Sequence, residues 1–544
     1  LESLRANVNL GMDIAKTQGT NYNEIGSIGS MRSAPDLYTE YMNYNKNMLL
    51  EAYVDYNETF AQKHNFNAMA GYSWQHNYVR YDKSEYYNND RATEYYIAPT
   101  NAREYYLVSF FGRLNYNYDS RYLVTLTARS DASSRFSKNN RWGFFPSAAF
   151  AWNIANEGFL KDNKAVSQLK FRLGWGRTGQ QDIGDDYYPY LARYYQSQSV
   201  TMQYPMGNGQ VFNALSPLAY NPNIKWETTE TSNIGIDFGF MNDRITGSVE
   251  AYYRNTYDLL NNISIPLGSN FGKEVISNIG NMVNKGIEVS ANFVPVETED
   301  WHWEIGGNIT FQDVKITKLT NDDESYLGVE TGTSMGSNVG FSSLHRAGHA
   351  PYTYYLYEQL YDADGNAIQN ALVDRNGDGV INSEDRYLTG CSPTPWAYYG
   401  IHTQLRWKNW DLGLNGHGAV GAELINKNAM GYSSSYSDDW TKSYVNNLSS
   451  VWLREGWHAL TSEAQKYSDL WIEDASFFKI DDINLGYTFN LENNLRIRLA
   501  GSVQNVCTFT KYSGLDPEIN NLSGVDTEIY PRPRLYTLRL NITF

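Results

Sequence analysis

The clearest chemical pattern lies in one polar segment, residues 374–385, which reads Asp-Arg-Asn-Gly-Asp-Gly-Val-Ile-Asn-Ser-Glu-Asp. Oxygen-bearing side chains stand at positions 1, 3 and 5, glycine at position 6 and a carboxylate at position 12. This is the spacing of calcium-binding loops. We therefore expect a structural divalent cation, calcium or a similar ion. The predicted ligands are Asp374, Asn376, Asp378, the backbone carbonyl of Val380, Asn382 and Asp385.

An ordinary surface loop is the alternative interpretation of this segment, because Asp, Asn and Gly also favour turns. Position 12 is Asp385 instead of the longer Glu, which usually binds the ion through both oxygens. No helix flanks the segment in the sequence pattern. A bound ion would therefore stabilise the loop and would not act as a sensor.

A second group of candidate residues is aromatic and acidic. Aromatic rings close to carboxylates suit oligosaccharides, which offer apolar C–H faces and hydroxyl rims. The same side chains could equally pack on one another or on a partner protein. The candidate substrate-binding residues are Asp185, Asp186, Tyr187, Tyr188, Tyr190, Tyr194 and Trp440.

No catalytic pattern is present in the sequence. The eight histidines form neither an HExxH motif nor a Cys/His cluster, and no Ser/His/Asp arrangement is evident. Gly174, Gly176 and Gly179 match a dinucleotide-binding fingerprint, but the residues after them do not continue as a helix, which that site requires. We predict that these glycines relieve crowding in a strand and that the protein is not an enzyme.

The elements that position these residues are predicted to be β-strands. In residues 535–544 every second residue is apolar or aromatic, and the residues between are mostly polar. Strand side chains alternate between two faces, so this pattern suits a barrel with lipid on one side and water on the other. The pattern recurs along the whole chain. It predicts an all-β fold, a transmembrane antiparallel β-barrel with about 16 strands in this chain.

The connections between the predicted strands alternate between short and long. Barrels of the outer membrane have tight periplasmic turns and long external loops. Short links are predicted near 62–63, 119–120, 242–243, 297–299, 408–409 and 490–493, and a longer link near 156–167. Long connections are predicted at 17–47, 81–104, 180–227, 259–283, 316–395, 422–475 and 509–533.

Composition supports a location in the cell outer membrane. Aromatic residues make up 15% of the chain, with 45 Tyr and 14 Trp, and barrels concentrate Tyr and Trp at both membrane interfaces. A formal net charge of −16 argues against nucleic acid as a partner. The two cysteines, Cys391 and Cys507, could pair, but two separate thiols are the simpler interpretation.

Several blocks of the sequence resemble the SusC-like TonB-dependent transporters of Bacteroidetes outer membranes. The first resembles the family motif R-x-D-G-S-S-R-F, with Ala132 in place of glycine. The others follow in the family's order. The blocks are residues 129–136, 145–147 with 151–152, 173–180, 221–227 and 281–288, and the loop 374–385 also recurs in that family.

The resemblance implies a 22-stranded barrel with an N-terminal plug, a SusD-like surface lipoprotein as partner, and energy supplied by TonB-ExbB-ExbD. Residues 1–544 are then the C-terminal part of the barrel, and the signal, TonB box, plug and first strands are expected outside this chain. The chain has no initiator Met, which favours a processed or partial chain. Proteins of this kind often form a dimer of transporter–lipoprotein pairs.

The expected function is TonB-dependent active import of a large nutrient, with an oligosaccharide as the leading substrate. Import of an oligopeptide by the same family is the first alternative. A passive 16-stranded porin or an adhesin without energy coupling is the second.

Overall fold

The computed structural model describes most of the chain. The residues described are 3–23, 37–87, 93–97, 101–161, 163–184, 187–196, 203–205, 207, 211–213, 215–265, 274–319, 327–335, 340–431, 467–492, 495–519, 521–527 and 530–544.

β-Strands dominate the described residues. The first sixteen, in chain order, are β1 (Leu4–Asn23), β2 (Leu37–Phe60), β3 (His64–Tyr87), β4 (Thr93–Ile97), β5 (Asn101–Tyr118), β6 (Tyr122–Ser133), β7 (Trp142–Asn153), β8 (Val166–Gln180), β9 (Tyr194–Gln196), β10 (Gln203–Pro205), β11 (Val211–Asn213), β12 (Leu215–Pro217), β13 (Glu227–Phe240), β14 (Ile245–Tyr257), β15 (Leu260–Ser264) and β16 (Glu274–Asn278).

The remaining strands are β17 (Asn281–Glu297), β18 (Trp301–Lys318), β19 (Val329–Ser334), β20 (Phe341–His345), β21 (Tyr355–Leu356), β22 (Gln359–Tyr361), β23 (Ala367–Leu372), β24 (Tyr387–Leu388), β25 (Ala397–Trp407), β26 (Trp410–Val420), β27 (Glu423–Asn426), β28 (Ile472–Asp474), β29 (Phe477–Asn490), β30 (Arg496–Thr510), β31 (Val525–Asp526) and β32 (Leu535–Thr543).

Helices are few and short in the part of the chain that the structure describes. They are α1 (Lys427–Gly431) and the 3-10 turns Ile154–Asn156, Ser383–Asp385 and Asp469–Trp471. None of the described helices is long and apolar enough to cross a membrane.

The predicted all-β antiparallel fold is confirmed. Seventeen of the described strands take part in one sheet. One of them, β4, has five residues and pairs with the end of β3. The sixteen others match the predicted number of strands.

The chain divides into two compact units. Unit 1 comprises residues 1–152, 174–231 and 256–279, and unit 2 comprises residues 153–173, 232–255 and 280–544. Strands β8, β13 and β14 each contribute residues to both units.

Within unit 1 the long strands pair in chain order, β1 with β2, β2 with β3, β3 with β5, β5 with β6 and β6 with β7. Strands β2 and β3 each have 24 residues, whereas about 9–11 residues suffice to cross a bilayer. They continue through segments predicted as connections, 17–47 and 81–104. That part of the prediction is wrong, because cross-strand pairing satisfies the backbone of these Tyr- and Asn-rich extensions.

Unit 2 continues in the same manner, with β17 paired to β18, β18 to β25, β25 to β26, β26 to β29, β29 to β30 and β30 to β32. Tight turns join several of these hairpins and those of unit 1. At Ala61–Gln62 and Asp119–Ser120 two successive residues have φ between 49° and 58°. Such pairs form the turns whose twist matches a β-hairpin.

One face of each unit is apolar. Val8, Leu10 and Met12 of β1 are exposed on it, as are Leu538, Leu540 and Ile542 of β32. The other face carries amides and charged side chains. The predicted alternation of the two faces along each strand is therefore present in both units.

Candidate functional site

The sequence blocks around 129–136, 145–147 and 221–227 meet in unit 1. Phe136, Phe145, Ile183, Ile224 and Trp226 form one buried apolar cluster. The rings of Phe136 and Phe145 lie 5.2 and 5.4 Å from the ring of Trp226. The three blocks therefore build one core at the long-connection end of the strands.

Glycines of the fingerprint-like segment serve this packing. Gly174, Gly176 and Gly179 all lie in strand β8. A Cβ on Gly179 would lie 2.1 Å from the ring of Phe145, and one on Gly176 would lie 3.1 Å from Ser147 Cβ. Gly176 and Gly179 relieve crowding in a strand, as predicted, and the segment is a strand and not a phosphate-binding loop.

Arg135, from the first block, is a buried anchor for the connection that follows β8. Its guanidinium lies 4.3 Å from the ring centres of both Tyr105 and Tyr187. It donates to the carbonyl of Gln181 at 3.2 Å and to Asp182 Oδ1 at 3.1 Å. Cation–π contacts of this kind are strongest when the cation is shielded from water. The start of this connection is thus fixed to strand β5.

The predicted substrate-binding tyrosines have other partners in the structure. The Tyr187 ring contacts Arg135, the Tyr188 hydroxyl donates to the Glu104 carbonyl, and the Tyr190 hydroxyl donates to the Ser134 carbonyl at 3.3 Å. Burial raises the pKa of Tyr188, which keeps its hydroxyl a donor. These three rings hold the connection against the strands.

One other predicted substrate residue is described, and it lies elsewhere. Tyr194 lies at the start of the hairpin β9–β12 and is 66% exposed. Asp185, Asp186 and Trp440 lie outside the described residues.

The predicted metal-binding loop is compact. Asp374 accepts hydrogen bonds from the N–H groups of Gly377 at 2.7 Å and Gly379 at 2.8 Å. Asp378 Oδ1 accepts from Val380 N at 2.7 Å. Gly377 and Gly379 have φ of 76° and 80°, which glycine adopts at no steric cost. The sharp turn expected at position 6 is therefore present.

Asp385 closes the same loop from its last position. It is fully buried and accepts from Asn382 N at 2.8 Å and Arg375 N at 2.9 Å. These N–H donors, with Asn382 first, lower the pKa of Asp385. Asn382 in turn caps the 3-10 turn Ser383–Asp385 by accepting from Glu384 N.

The loop supplies the hard oxygen ligands that calcium prefers. Three carboxylates and two side-chain amide groups lie within twelve residues, at the predicted positions. Among the described residues no three His, Cys, Asp or Glu side chains converge as a metal site would require. Binding of an ion would therefore require the carboxylates to give up hydrogen bonds that they accept from backbone N–H groups.

A second packed body lies in unit 2, and we call it the cap. It comprises the described parts of 329–396, 421–431, 467–476 and 511–527. Its largest core contains Met335, Tyr354, Leu356, Tyr357, Ala367, Leu372, Ile425, Ala429, Met430, Trp471 and Val525.

Hydrogen bonds tie the segments of the cap together. The Tyr354 hydroxyl donates to the carbonyls of Glu423 at 2.7 Å and Gly524 at 3.0 Å. Strand β27 pairs with β28 on one side and with β31 on the other. Sequence reasoning missed this core, because its members are scattered over three connections.

Both cysteines of the chain are free thiols. Burial, with the nearby Glu423 carboxylate, raises the pKa of Cys391 to about 11. A thiol of that pKa is mostly protonated near neutral pH and is a poor nucleophile.

On the polar face of unit 2, glycines leave space that neighbouring amide side chains occupy. A Cβ on Gly306 would lie 2.0 Å from Asn292 Oδ1, and one on Gly413 would lie 2.5 Å from Asn484 Nδ2. The amide side chains therefore lie flat along the strands, over the glycines.

Ion pairs complete that polar face. Arg172 donates to Asp237 and to Glu250, each at 2.8 Å. Buried polar groups need such partners, and they give the face a hydrophilic character that lipid would not accept. Each unit thus has one apolar face and one polar face, as the strands of a membrane barrel do.

The chain belongs to a family of outer-membrane β-barrels. The model of the family described as TonB dependent receptor-like, beta-barrel matches residues 2–506. The predicted fold class, family and localisation are therefore confirmed.

Among curated proteins, the TonB-dependent receptor SusC of Bacteroides thetaiotaomicron is 42% identical over 451 residues, which cover 80% of this chain and 44% of SusC. The TonB-dependent receptor P3 of Formosa agariphila is 31% identical over 546 residues, which cover 93% of this chain and 53% of that receptor. The chain spans about half the length of these relatives.

Among solved structures, the RagAB peptide transporter matches with a TM-score of 0.80 at 21% identity, covering 100% of this chain and 60% of that one. This match shows a shared fold. The named relatives are receptors and transporters, in agreement with the prediction that the chain is not an enzyme.

Proposed function

We propose that this chain forms the barrel wall of a TonB-dependent importer that carries a large nutrient, an oligosaccharide, across the outer membrane. The observation that supports this most is the 42% identity to SusC over 80% of the chain. In such a barrel the apolar face of the sheet contacts lipid, and the polar face, which contains the glycines and amide side chains, lines the interior. The plug, the TonB box and the first strands would belong to a longer polypeptide, because the chain spans 44% of SusC.

Uptake by cells that carry the full-length protein tests this function. We expect a labelled oligosaccharide to accumulate and the accumulation to stop when TonB is removed. Uptake of a labelled oligopeptide instead would favour the second candidate, which the fold match to a peptide transporter supports. Uptake that continues unchanged without TonB would indicate a passive porin and contradict the proposal.

The partner we propose is a SusD-like surface lipoprotein, docked on the connections at 180–227, 316–395 and 422–475. The first of these carries the strongest support. Residues 194–224 contain no Asp, Glu, Lys, Arg or His, although 19% of the chain is charged. Depletion of charge together with aromatic residues is typical of the centre of a protein interface.

The structure presents several apolar side chains of this segment to solvent. We call residues 194–217 the arm, and its described strands form the pairs β9–β12 and β10–β11. Tyr204 lies opposite Phe212 in the register, and they are 70% and 66% exposed. Leu215 is 63% exposed. Exposed apolar patches of this kind mark interaction sites.

Charge placed on the arm tests the docking. In the full-length protein, Tyr204→Asp with Phe212→Asp should weaken co-purification with the lipoprotein more than tenfold, since central aromatic residues often carry about 2 kcal/mol or more. Tyr530→Asp is the matched control, because Tyr530 is an exposed tyrosine in another connection. Unchanged co-purification of the double variant would place the docking surface elsewhere.

The third connection needs a shorter deletion than its full length. Residues 422–431 and 467–475 supply Ile425, Met430 and Trp471 to the cap core, so their removal would unfold the cap. We expect replacement of 432–466 by a flexible linker to reduce lipoprotein binding while the barrel remains heat-modifiable. Full retention of binding would exclude that segment from the interface.

We also propose that the long connections face outward and the short turns face the periplasm. Single cysteines at Asn242 and at Asp186 test this on intact cells with an impermeant label. We expect label at Asp186 and none at Asn242, and the reverse result would contradict the orientation.

For the loop 374–385 we propose a bound calcium ion that stabilises the cap. Lanthanide luminescence of the full-length protein should report one site that calcium displaces, and Asp374→Ala with Asp378→Ala should remove it. Asp362→Ala is the control, because Asp362 caps a neighbouring turn by accepting from Asp364 N and Asn366 N. Luminescence that persists in the double variant would exclude this loop.

A further inference from the structure

A network of charged side chains fastens the connection after β30 to the polar face of unit 2. Lys479 of β29 is 4% exposed and donates to Asp516 Oδ1 at 2.7 Å and to Glu518 Oε2 at 2.8 Å. Arg532 donates to Glu518 Oε2 at 2.7 Å and lies 3.3 Å from Asp516 Oδ2. Two carboxylates of the connection are therefore each paired with two cations.

His417 of β26 extends the network. Its Nδ1 lies 2.7 Å from Asp481 Oδ2 and its Nε2 lies 3.3 Å from Glu518 Oε1. In the register between β26 and β29, Asp481 is an extra residue, bulged between Ile480 and Asp482. A bulge re-aims side chains, and here it accompanies the contact of Asp481 with His417.

The two contacts of His417 would each need a hydrogen-bond donor from its ring. Ionised carboxylates only accept hydrogen bonds, and a neutral imidazole carries a single N–H. Both contacts can be hydrogen bonds only when both ring nitrogens carry protons. Loss of one proton would break one bond and turn a nitrogen lone pair toward a carboxylate.

His417 has further neighbours on the two adjacent strands. On β29 the ring packs edge-on against Phe477, and Lys479 is its partner in the register. On β25 its partner is Gly400, flanked by Tyr398 and His402.

The charge around His417 therefore comes from two sources. From β29 come Lys479 and Asp481, and from the connection come Asp516, Glu518 and Arg532. With two cations and three carboxylates around it, protonated His417 balances the charge of the network.

We propose that His417 is a proton-operated latch, which in its protonated form fastens residues 511–519 to the polar face and on deprotonation loosens them. Burial alone would raise the pKa of Glu518, but Lys479, Arg532 and His417 together hold it below its ordinary value. Glu518 therefore stays ionised and remains an acceptor for the His417 ring.

Release of the latch would act on the cap. Tyr512 lies in the same connection as Asp516 and Glu518. It belongs to a second buried cluster with Ala422, Leu424 and Ala475. The Tyr512 hydroxyl donates to Asp526 Oδ2 at 2.6 Å. Loosening residues 511–519 would thus weaken the contact between this connection and the strands β27 and β28.

Hydrogen exchange of the full-length protein in detergent micelles, corrected for intrinsic rates, tests the latch. Between about pH 5 and pH 8, protection of residues 511–519 should fall roughly three- to tenfold as pH rises, as expected for one partly exposed hydrogen bond to a charged group. His417→Gln keeps one N–H donor and cannot ionise, so its protection should not depend on pH. His349→Gln should behave as the wild type.

A second variant distinguishes loss of the pH response from a general folding defect. Glu518→Gln offers an amide that can donate to neutral His417, and we expect it to reduce the pH dependence without general loosening. Full pH dependence retained in His417→Gln would overturn the proposal. Constant protection of the wild type from low to high pH would also overturn it.

Discussion

The arm of unit 1 and the cap of unit 2 are both built from aromatic-rich connections, but they place their rings in opposite ways. In the arm, Tyr204 and Phe212 are 70% and 66% exposed. In the cap, Tyr354 is fully buried and Trp471 is 2% exposed. The same residue types therefore form a surface in one region and a core in the other.

The difference follows from what surrounds the rings. The cap brings three connections together, and polar groups such as Arg386 are buried with partners. Arg386 donates to the Tyr355 carbonyl at 2.8 Å and to Glu330 Oε1 at 3.3 Å. The arm has no charged residues, and its described strands form short pairs that leave the rings of Tyr204 and Phe212 exposed. Aromatic content alone therefore does not distinguish a core from a docking surface.

The largest effect expected from this comparison is on stability. Trp471→Ala removes a buried indole from the cap core, and Trp-to-Ala changes of this kind cost about 3–5 kcal/mol. We expect the cap to lose that much free energy of unfolding while the barrel strands remain folded. Hydrogen exchange at α1 and β27, compared with β26, measures the difference.

The matched change in the arm is Phe212→Ala. Because Phe212 is mostly exposed, its loss should change stability by no more than about 0.5 kcal/mol. An equal loss of stability in the two variants would show that the arm rings are packed, and the contrast between arm and cap would be wrong.

A smaller effect is expected from one hydroxyl of the cap. Tyr354→Phe keeps the ring but removes the donor to the carbonyls of Glu423 and Gly524, of which the Gly524 carbonyl still accepts from Ile425 N at 2.9 Å. Loss of a hydrogen bond of this kind costs about 0.5–1.5 kcal/mol. We expect faster exchange at β27 and β31, which these carbonyls adjoin, and no change in the core around Phe136. Unchanged exchange at β27 would mean that the hydroxyl does not hold the segments together.

Much of the fold was predictable from the sequence because alternation is local. Residues 535–544 show their two faces without knowledge of any partner strand. The extent of β1 to β3 was not predictable, since the Tyr- and Asn-rich extensions are strands only through pairing with each other. The cap core was likewise hidden, because residues as distant as Met335 and Val525 contribute to it.

The candidate site was predictable where one short segment contains the pattern. Residues 374–385 alone indicated the turn at Gly377 and Gly379 and the spacing of the oxygen ligands. The role of Arg135 was not, because its two ring partners, Tyr105 and Tyr187, come from separate strands and connections. The family motif marked the position of Arg135 but not its contacts.

The smallest expected effect is a dependence of local stability on pH. We expect it in the cap and not in the arm. His345 of β20 is largely buried, its Nε2 has no hydrogen-bond partner among the described residues, and burial lowers its pKa. Folding therefore favours the neutral ring. The resulting stability is present above the ordinary histidine pKa of about 6.5 and is lost as pH falls below it.

We expect exchange at residues 341–345 to increase on acidification, and His345→Phe to remove that response. This sign is opposite to the one expected for residues 511–519, where His417 is bonded in its protonated form. The two segments of one cap thus serve as controls for each other in a single pH series. The arm, with no titratable group between residues 194 and 224 except tyrosine, should show neither trend. Acid-induced loosening of the arm to the same degree would indicate general unfolding and would remove the evidence for both histidines.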